Sequence, residues 1–228
     1  MVAKKSEDTP VTDLATIKRP PTTGTAPATA TRAVTALIDG LADLFASEGR
    51  PGGDIAAQAL RTNRLGTAVN PGTDTVLGPQ VRQIAVLPGA LPLARLVLEA
   101  WDALPWHHSG LEDGRIPREW ALRMTTAEVL GPRGIIDCDS CRVGLFAQIP
   151  GVDYPERRHA AEETFFTLAG EGDWCLPPED WRHLGPGQHS FHPSWAAHRS
   201  RTITTGFLTA WRWTGDTRME TYALKSPS

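Results

Sequence analysis

Helical periodicity dominates the first half of the chain after a polar start. From Thr31 the segment TRAVTALIDGLADLFASEG places apolar residues three and four apart, and Gly49 supplies a stop, which predicts an amphipathic helix. A shorter helix is predicted in GDIAAQALRTN, with Asp54 as its cap, and a longer one in LPLARLVLEAWDALPW, which Pro105 ends. We therefore predict a helical N-terminal segment over residues 31–130.

A different pattern begins after Pro132, where short runs rich in β-branched and aromatic residues are separated by Gly and Pro. Residues 142–149 and 202–213 alternate between apolar and polar positions, which predicts half-buried antiparallel strands. The spacing of these runs is typical of a sandwich or a barrel. We therefore predict a mainly β fold with a barrel over residues 131–228.

Composition and charge give predictions about disorder, partners and location. Residues 1–30 are rich in Thr, Pro, Ala and Lys and poor in large apolar groups, which predicts a disordered leader. A net charge of −3 and a pI near 6.2 predict no nucleic-acid partner. No apolar run approaches the roughly 20 residues of a membrane-spanning helix, so no membrane partner is predicted. The first residues lack the apolar core of a signal peptide, and three cysteines are an odd number for a disulfide scaffold, so we predict a cytoplasmic location.

Polar groups that bind metals occur in two places of the strand region. His159 and Glu163 lie four residues apart at the start of an alternating run. The segment PGQHSFHPSWAAH carries His189, His192 and His198 around a proline turn. One imidazole and one carboxylate from the first place and one imidazole from the second would supply three ligands and leave positions open for water or substrate. Such a site suits one divalent transition metal, with Fe, Mn, Zn, Ni and Co as alternatives.

The order of these residues and of the turns around them resembles the two motifs of the cupins. The resemblance rests on His159, Glu163, Gly170, Pro186, Gly187, Pro193 and His198. The segments GVDYPERRHAAEETFFTLAGEGDW, PGQHSFHPSWAAHRSRT and LTAWRWTGD further resemble the cupin-type dimethylsulfoniopropionate (DMSP) lyases, over roughly residues 85–216. This resemblance implies a double-stranded β-helix, or jelly-roll, barrel that follows a helical segment.

The resemblance also implies roles for individual residues. His159, Glu163 and His198 match the family's metal ligands, and a conspicuous active-site tyrosine of the lyases matches Tyr154. Where the lyases carry the tyrosine favoured as the general base, two residues after the glutamate, this chain has Phe165. DMSP cleavage is a β-elimination in which a base removes the proton next to the carboxylate, and phenylalanine accepts no proton. Tyr154 is then the candidate for proton transfer.

Arg157 stands where the cupin motif usually has its first histidine. In a strand it would share a face with His159, and its guanidinium could bind a substrate carboxylate in bidentate fashion. A guanidinium there would also repel a sulfonium, which favours an acidic substrate without a cationic end. The alternative is that Arg157 and Arg158 lie in a loop and face water.

Aromatic side chains and one more histidine complete the predicted site. Trp195 lies in the ligand turn, and Trp211 and Trp213 share a face of one strand. We predict that Trp195 and Trp211 form walls of the substrate pocket together with Phe165, since aromatic faces attract cations. His192 is predicted to orient a metal ligand from behind.

The cysteines of the segment DCDSC have the spacing of zinc or thiol redox sites. A second such pair is absent from the sequence, so a zinc site at Cys138 and Cys141 would need histidines from elsewhere. The alternative is a hairpin turn in which both cysteines are incidental.

These patterns predict a metal-dependent carbon–sulfur lyase of the DMSP lyase type with a small-molecule substrate. Iron-dependent oxygenation is an alternative, because a site of two histidines and one carboxylate also suits iron and oxygen. A non-catalytic cupin that binds a small ligand is another, because Phe165 replaces the expected base. The N-terminal helices would offer a surface for a homodimer.

Overall fold

A computed structural model describes residues 28–63, 65, 72–108, 111 and 115–225 of the chain. The predicted disordered leader over residues 1–30 lies outside these residues, apart from Ala28 to Ala30, which begin the first helix. Within the described residues, a group of N-terminal helices precedes two antiparallel sheets. The predicted fold class, a mainly β barrel that follows a helical segment, is confirmed.

The helices of the described residues are short and pack together. They are α1 (Ala28–Ala46), α2 (Pro51–Thr62), α3 (Gly78–Ala85), α4 (Pro92–Ala100) and α5 (Arg118–Ala121). The apolar stripe predicted for α1 is buried from Val34 to Phe45. The long helix predicted after Leu91 ends earlier than its apolar run, because α4 passes into a 3₁₀ turn at Trp101–Ala103. No helix in the described part of the chain is long and apolar enough to cross a membrane.

The start of α2 differs from the prediction that Asp54 caps it. Arg50 is the N-cap residue, with an extended backbone, and Pro51 opens the helix. Proline is favoured at this position because its ring presets the helical φ and its missing N–H would have no partner there. Asp54 instead lies in the first turn, where its charge complements the helix dipole.

The strands form a six-stranded and a five-stranded sheet in which every named pairing is antiparallel. In chain order they are β1 (His107–His108), β2 (Met124–Leu130), β3 (Cys141–Gln148), β4 (Val152–Arg158), β5 (Glu162–Gly170), β6 (Gly172–Cys175), β7 (Arg182–Leu184), β8 (His189–His192), β9 (His198–Thr202), β10 (Phe207–Thr214) and β11 (Ala223–Leu224). The strand orders are β1-β2-β3-β10-β5-β8 and β11-β4-β9-β6-β7.

Strand β2 lies inside the segment 31–130 that the sequence predicted as helical. It pairs along its length with β3, with a register shift between Glu128 and Leu130. Nearly all of its residues are buried, so apolar and polar positions do not alternate in the sequence. The prediction of a wholly helical segment is therefore wrong at its end, where pairing with a distant strand decides the structure.

Both faces of the six-stranded sheet are buried, each against a different partner. The outward side chains of β3, β5 and β10, such as Leu145, Phe166 and Leu208, pack in one core with the helices. The inward side chains of the same strands, such as Phe146 and Trp211, pack in a second core with the five-stranded sheet. Because successive strand residues point to opposite faces, each strand serves both cores.

A buried ion pair connects the helices to the strands. Glu48, just after α1, accepts hydrogen bonds from Arg212 Nη2 (2.7 Å) and Nε (2.8 Å), and both side chains are fully buried. Thr164 of β5 donates to the same carboxylate (2.7 Å), and Glu162 accepts from Arg212 (2.9 Å). The end of α1 is therefore fixed to β5 and β10 of the six-stranded sheet.

Candidate active site

Glu163 lies on the inner face of the barrel, between two strands that both contribute to its environment. On β5 it pairs with His192 of β8 on one side and with Trp213 of β10 on the other. Directly paired residues of antiparallel strands point to the same face, so both side chains reach the carboxylate. Trp213 Nε1 donates a hydrogen bond to Glu163 Oε1 (2.5 Å), and His192 Nδ1 donates to Oε2 (3.0 Å). The carboxylate is thereby held in one orientation.

Two further imidazoles converge on the same carboxylate oxygen. His159, in the turn before β5, and His198, the first residue of β9, each place Nε2 at 3.2 Å from Glu163 Oε2. The three potential ligand atoms of these residues lie within 4.8 Å of one another, and all three residues are buried. The structure thus brings together the three residues that the sequence predicted as metal ligands.

The protons of the two imidazoles can be assigned from their other contacts. Nδ1 of His159 lies 3.0 Å from the Ala161 carbonyl oxygen, and Nδ1 of His198 lies 3.0 Å from that of Ala196. Because a carbonyl oxygen only accepts, Nδ1 carries the proton in each ring, and a neutral ring turns the lone pair of Nε2 toward Glu163. This second contact is typical of metal-binding histidines.

The electrostatics of the cluster favour a cation. Burial lowers the pKa of His198 well below its usual range, and the neighbouring His192 and Arg157 lower it further. Burial alone would raise the pKa of Glu163, but the neighbouring His159 and the hydrogen bond from His192 hold it well below its usual range. Among the described residues, His198 Nε2 has no hydrogen-bond partner, although it lies 3.2 Å from Glu163 Oε2. A lone pair that faces an ionised carboxylate is stabilised by a metal ion between them, so this donor set fits a divalent transition metal.

A cavity of about 420 Å³ extends from Glu163 toward the surface. Its lining combines aromatic rings with charged groups, most of them from the barrel strands. The lining residues are His107, Leu111, Arg115, Thr126, Glu128, Arg133, Arg142, Phe146, Tyr154, Arg157, Glu163, Phe165, Trp211, Trp213, Met219 and Tyr222. This volume suits a small organic molecule.

Tyr154 lies in this cavity and shares a short hydrogen bond with a second tyrosine. Its hydroxyl oxygen is 2.5 Å from that of Tyr222, which precedes β11. The Tyr222 ring also stacks on His159, with ring centres 5.9 Å apart, and on Trp213. Burial raises the pKa of both hydroxyls, and the Arg157 guanidinium opposes this rise. The sequence prediction missed Tyr222, because no motif marks the segment around it.

Arg157 lies within β4 and is 3% exposed, whereas Arg158 is exposed. Its guanidinium carbon lies 3.9 Å from the centre of the Tyr154 ring. The predicted alternative, in which both arginines lie in a loop and face water, is therefore wrong for Arg157. It points into the barrel because it shares the inward face of β4 with Tyr154 after a register shift between the two.

Of the remaining predicted site residues, some line the cavity or contact Glu163, and one does neither. Phe165 and Trp211 line the cavity, and His192 contacts Glu163 from behind and stacks on the His198 ring at 3.9 Å. Trp195, in contrast, is 53% exposed and does not line the cavity, so its prediction as a pocket wall is wrong. Trp195 lies in a tight turn with φ 63°, where the alternation of strand side chains does not apply.

These observations define a class of protein. A small antiparallel barrel whose inner face brings two histidines and a glutamate from neighbouring segments into one pocket is a cupin. The helices before the barrel and the aromatic, arginine-rich cavity are additions to that plan.

Comparison with known proteins narrows the class to one family. The family model for dimethylsulfoniopropionate lyases matches residues 82–209, more than half of the chain. The protein therefore belongs to the DMSP lyase family, whose named members are carbon–sulfur lyases.

Two curated relatives and one solved structure show how far the similarity extends. The DMSP lyase DddQ of Ruegeria pomeroyi is 33% identical over 46% of this chain, a match that spans about half (52%) of that relative. The putative DMSP lyase DddL of Cereibacter sphaeroides is 29% identical over 73% of this chain and 77% of the relative. The crystal structure of the Ruegeria pomeroyi DddQ superposes with a TM-score of 0.68 at 25% identity, and covers 86% of this chain and 98% of that one.

Proposed function

We propose that the protein is a metal-dependent lyase that cleaves DMSP, or a related small carboxylate, by β-elimination. The observation that carries the proposal is that the potential ligand atoms of His159, Glu163 and His198 converge, and that Glu163 and Tyr154 line the same cavity. Membership of the DMSP lyase family supports the same reaction.

The reaction needs one proton acceptor and no oxidant. A base removes a proton from the carbon next to the carboxylate, and the electron pair of that C–H bond forms the new C=C bond. The bond between the neighbouring carbon and sulfur breaks, and dimethyl sulfide leaves with the bonding pair. Acrylate and the protonated base remain.

His159, Glu163 and His198 would hold the metal, with His192 and Trp213 orienting the carboxylate. A bound divalent cation would polarise the substrate carboxylate and so acidify the adjacent C–H bond. Fe, Mn, Zn, Ni and Co all suit two imidazoles and one carboxylate, so metal identity has to be measured.

Tyr154 is the proton acceptor in this proposal. Phe165 lies on the cavity wall without a hydroxyl, whereas the Tyr154 hydroxyl lies in the same cavity. The Arg157 guanidinium 3.9 Å from its ring centre favours the ionised form, and a hydrogen bond from the Tyr222 hydroxyl stabilises the charge on oxygen. Such a base contributes about 100- to 10,000-fold to rate.

A cytoplasmic location and a homodimer remain sequence predictions that belong to this proposal. The free state of Cys138, Cys141 and Cys175 agrees with a reducing compartment. The N-terminal helices pack on the outer face of the six-stranded sheet, away from the cavity, so a dimer that uses them would leave the cavity open.

The test is dimethyl sulfide release, measured by headspace gas chromatography. Full-length protein is reconstituted with Mn, Fe, Co, Ni or Zn and supplied with DMSP. We expect release that depends on the metal and is lost in Tyr154→Phe and in His159→Ala. Trp195→Ala is the matched control. It changes an exposed residue of the ligand turn that does not line the cavity, and it should leave release unchanged.

The absence of release with every metal would contradict the proposal. Oxygen consumption by the iron-loaded protein would then support an oxygenase, and ligand binding without turnover would support a binding cupin.

A further inference from the structure

Arg157 carries a buried positive charge that forms no ion pair with a carboxylate of the described residues. The residue is 3% exposed, and neither terminal nitrogen of its guanidinium has a hydrogen-bond partner among the described residues. We propose that Arg157 is the receptor for the carboxylate of the substrate, so that the ligand, and not the protein, completes its hydrogen bonds. This inference rests on the proposed function and specifies how the substrate binds.

A buried guanidinium without a hydrogen-bonded partner destabilises the fold, so its retention indicates a role in binding. Removing such a cation from water is unfavourable unless hydrogen bonds or an opposite charge offset the lost hydration. The faces of two aromatic rings supply part of the compensation, since the guanidinium carbon lies 3.9 Å from the centre of Tyr154 and 5.8 Å from that of Trp174. These contacts use the flat face of the guanidinium and leave its terminal N–H groups available.

A second arginine that lines the cavity, Arg142, has the carboxylate partner that Arg157 lacks among the described residues. Arg142 donates to both oxygens of Glu128, at 2.7 Å and 3.0 Å, in a bidentate ion pair. Arg157 has no such carboxylate among the described residues. The contrast between two arginines that line one cavity indicates that Arg157 is reserved for a ligand.

The geometry of the guanidinium specifies the chemistry of that ligand. Two parallel N–H groups match the two oxygens of a carboxylate, which a compact ammonium group would not. Arg157 of β4 pairs directly with His198 of β9, so the receptor lies beside the candidate metal ligands. A carboxylate bound there is at the reacting end of the cavity, and the aromatic rings of Phe146, Phe165 and Trp211 remain for the rest of a small aliphatic acid.

The test is binding of 3-(methylthio)propionate, which has the carboxylate but no sulfonium and no good leaving group. Its amide is a neutral probe of the same shape. Dissociation constants are measured by isothermal titration calorimetry on the full-length protein, both loaded with zinc and treated with chelator. We expect Arg157→Met to weaken binding of the acid by about 10- to 100-fold in both states and to leave the amide within about twofold.

Arg158→Met is the matched control, because Arg158 is the exposed neighbour of Arg157 on β4 and does not line the cavity. It should change acid binding by less than about twofold. Arg157→Met should also melt a few degrees higher than wild type without ligand, because it removes an unpaired buried charge. An arginine with a purely structural role would instead melt lower when replaced and would not discriminate the acid from the amide.

Equal affinity of wild type and Arg157→Met for the acid would overturn the inference. So would a loss confined to the zinc-loaded protein together with loss of zinc from the variant, since the effect would then act through the metal. Measuring dimethyl sulfide release from DMSP shows whether a failure concerns the carboxylate receptor or the lyase activity. Acid binding that depends on Arg157 without release from DMSP keeps the receptor and rejects the lyase, whereas release that Arg157→Met does not weaken keeps the lyase and rejects the receptor.

Discussion

The hydroxyl groups of Tyr154 and Tyr222 meet at 2.5 Å inside the cavity, one from β4 and the other from the residue before β11. One hydroxyl of such a pair donates and the other accepts, so the two oxygens are not equivalent. The Arg157 guanidinium lies over the ring of Tyr154. We therefore assign the developing negative charge to Tyr154 and the donated hydrogen bond to Tyr222.

Tyr222→Phe should lower the turnover number for DMSP by about tenfold, the effect of one lost hydrogen bond to a charged oxygen. Tyr154→Phe should lower it by about 100- to 10,000-fold, because it removes the base itself. Initial rates of dimethyl sulfide release at saturating DMSP measure both effects. If Tyr222→Phe is the more severe variant while its melting temperature stays near that of wild type, the assignment of the two roles is reversed.

Phe165→Tyr should raise the rate of DMSP cleavage by about 100-fold, since it adds a second hydroxyl to the cavity wall. The Phe165 ring centre lies 5.9 Å from that of His192 and 5.8 Å from that of Phe146, so the new hydroxyl would enter a site that is otherwise apolar on one side. Phe165→Leu serves as the control because it changes ring packing without adding a proton acceptor. No gain from the tyrosine variant would mean that Tyr154 already supplies all the base catalysis the site can use.

The sequence predicted the parts of the site that lie in the two cupin-like segments. His159, Glu163 and His198 match the metal-ligand positions of that resemblance, and the structure brings all three together. Trp195 was misplaced because it lies in a turn with a left-handed backbone, where alternation gives no information.

The parts that the sequence did not predict depend on pairing between distant segments. Tyr222 reaches the cavity because the two-residue strand β11 pairs with Arg157 and Arg158 of β4, and so short a strand leaves no periodic pattern. The sequence did not predict β2 as a strand for a related reason, because burial on both faces removes the alternation of apolar and polar residues. Local patterns indicate which face a strand residue occupies, whereas nonlocal pairing decides which strands meet.

Arg157→His should tighten zinc binding by about tenfold or more. The substitution removes a positive charge beside the cluster and supplies an imidazole where the cupin motif usually has one. Competition with a chromophoric chelator measures the affinity. Arg157→Met separates the two causes, because it removes the charge without adding a ligand. If the histidine variant binds zinc no more tightly than the methionine variant, position 157 does not reach the metal.

Cys138 and Cys141 should differ sharply in reactivity, which distinguishes an incidental pair from a functional one. Burial raises the pKa of the Cys141 thiol to about 12, so about one molecule in 10,000 carries the thiolate at pH 8. Cys138 is partly exposed. Iodoacetamide at pH 8, followed by peptide mass spectrometry, should label Cys138 and spare Cys141, whose labelling should rise about tenfold per pH unit as the thiolate forms. Equal labelling of both at pH 8 would contradict this environment and reopen a redox role.

Glu48→Leu and Arg212→Met should each lower the free energy of unfolding by about 3–5 kcal/mol, because each breaks the buried ion pair. Arg212 would keep only Glu162 as a carboxylate partner, and Glu48 would keep the Thr164 hydroxyl and the more distant Arg50. Urea denaturation followed by tryptophan fluorescence measures the loss. The double variant should lose less than either single variant, since no buried charge is then left without its partner.

The pair of Arg61 and Asp43 joins α2 to α1 and is largely exposed, so Arg61→Met should lower the free energy of unfolding by no more than about 1 kcal/mol. If Arg212→Met is equally mild, the buried pair does not fix the helices to the barrel. Because Thr164 and Arg212 are next to Glu163 and Trp213 on β5 and β10, the single variants should also weaken zinc binding. Full stability with reduced zinc affinity would assign the pair to positioning the site, and lower stability with unchanged zinc affinity would assign it to the fold alone.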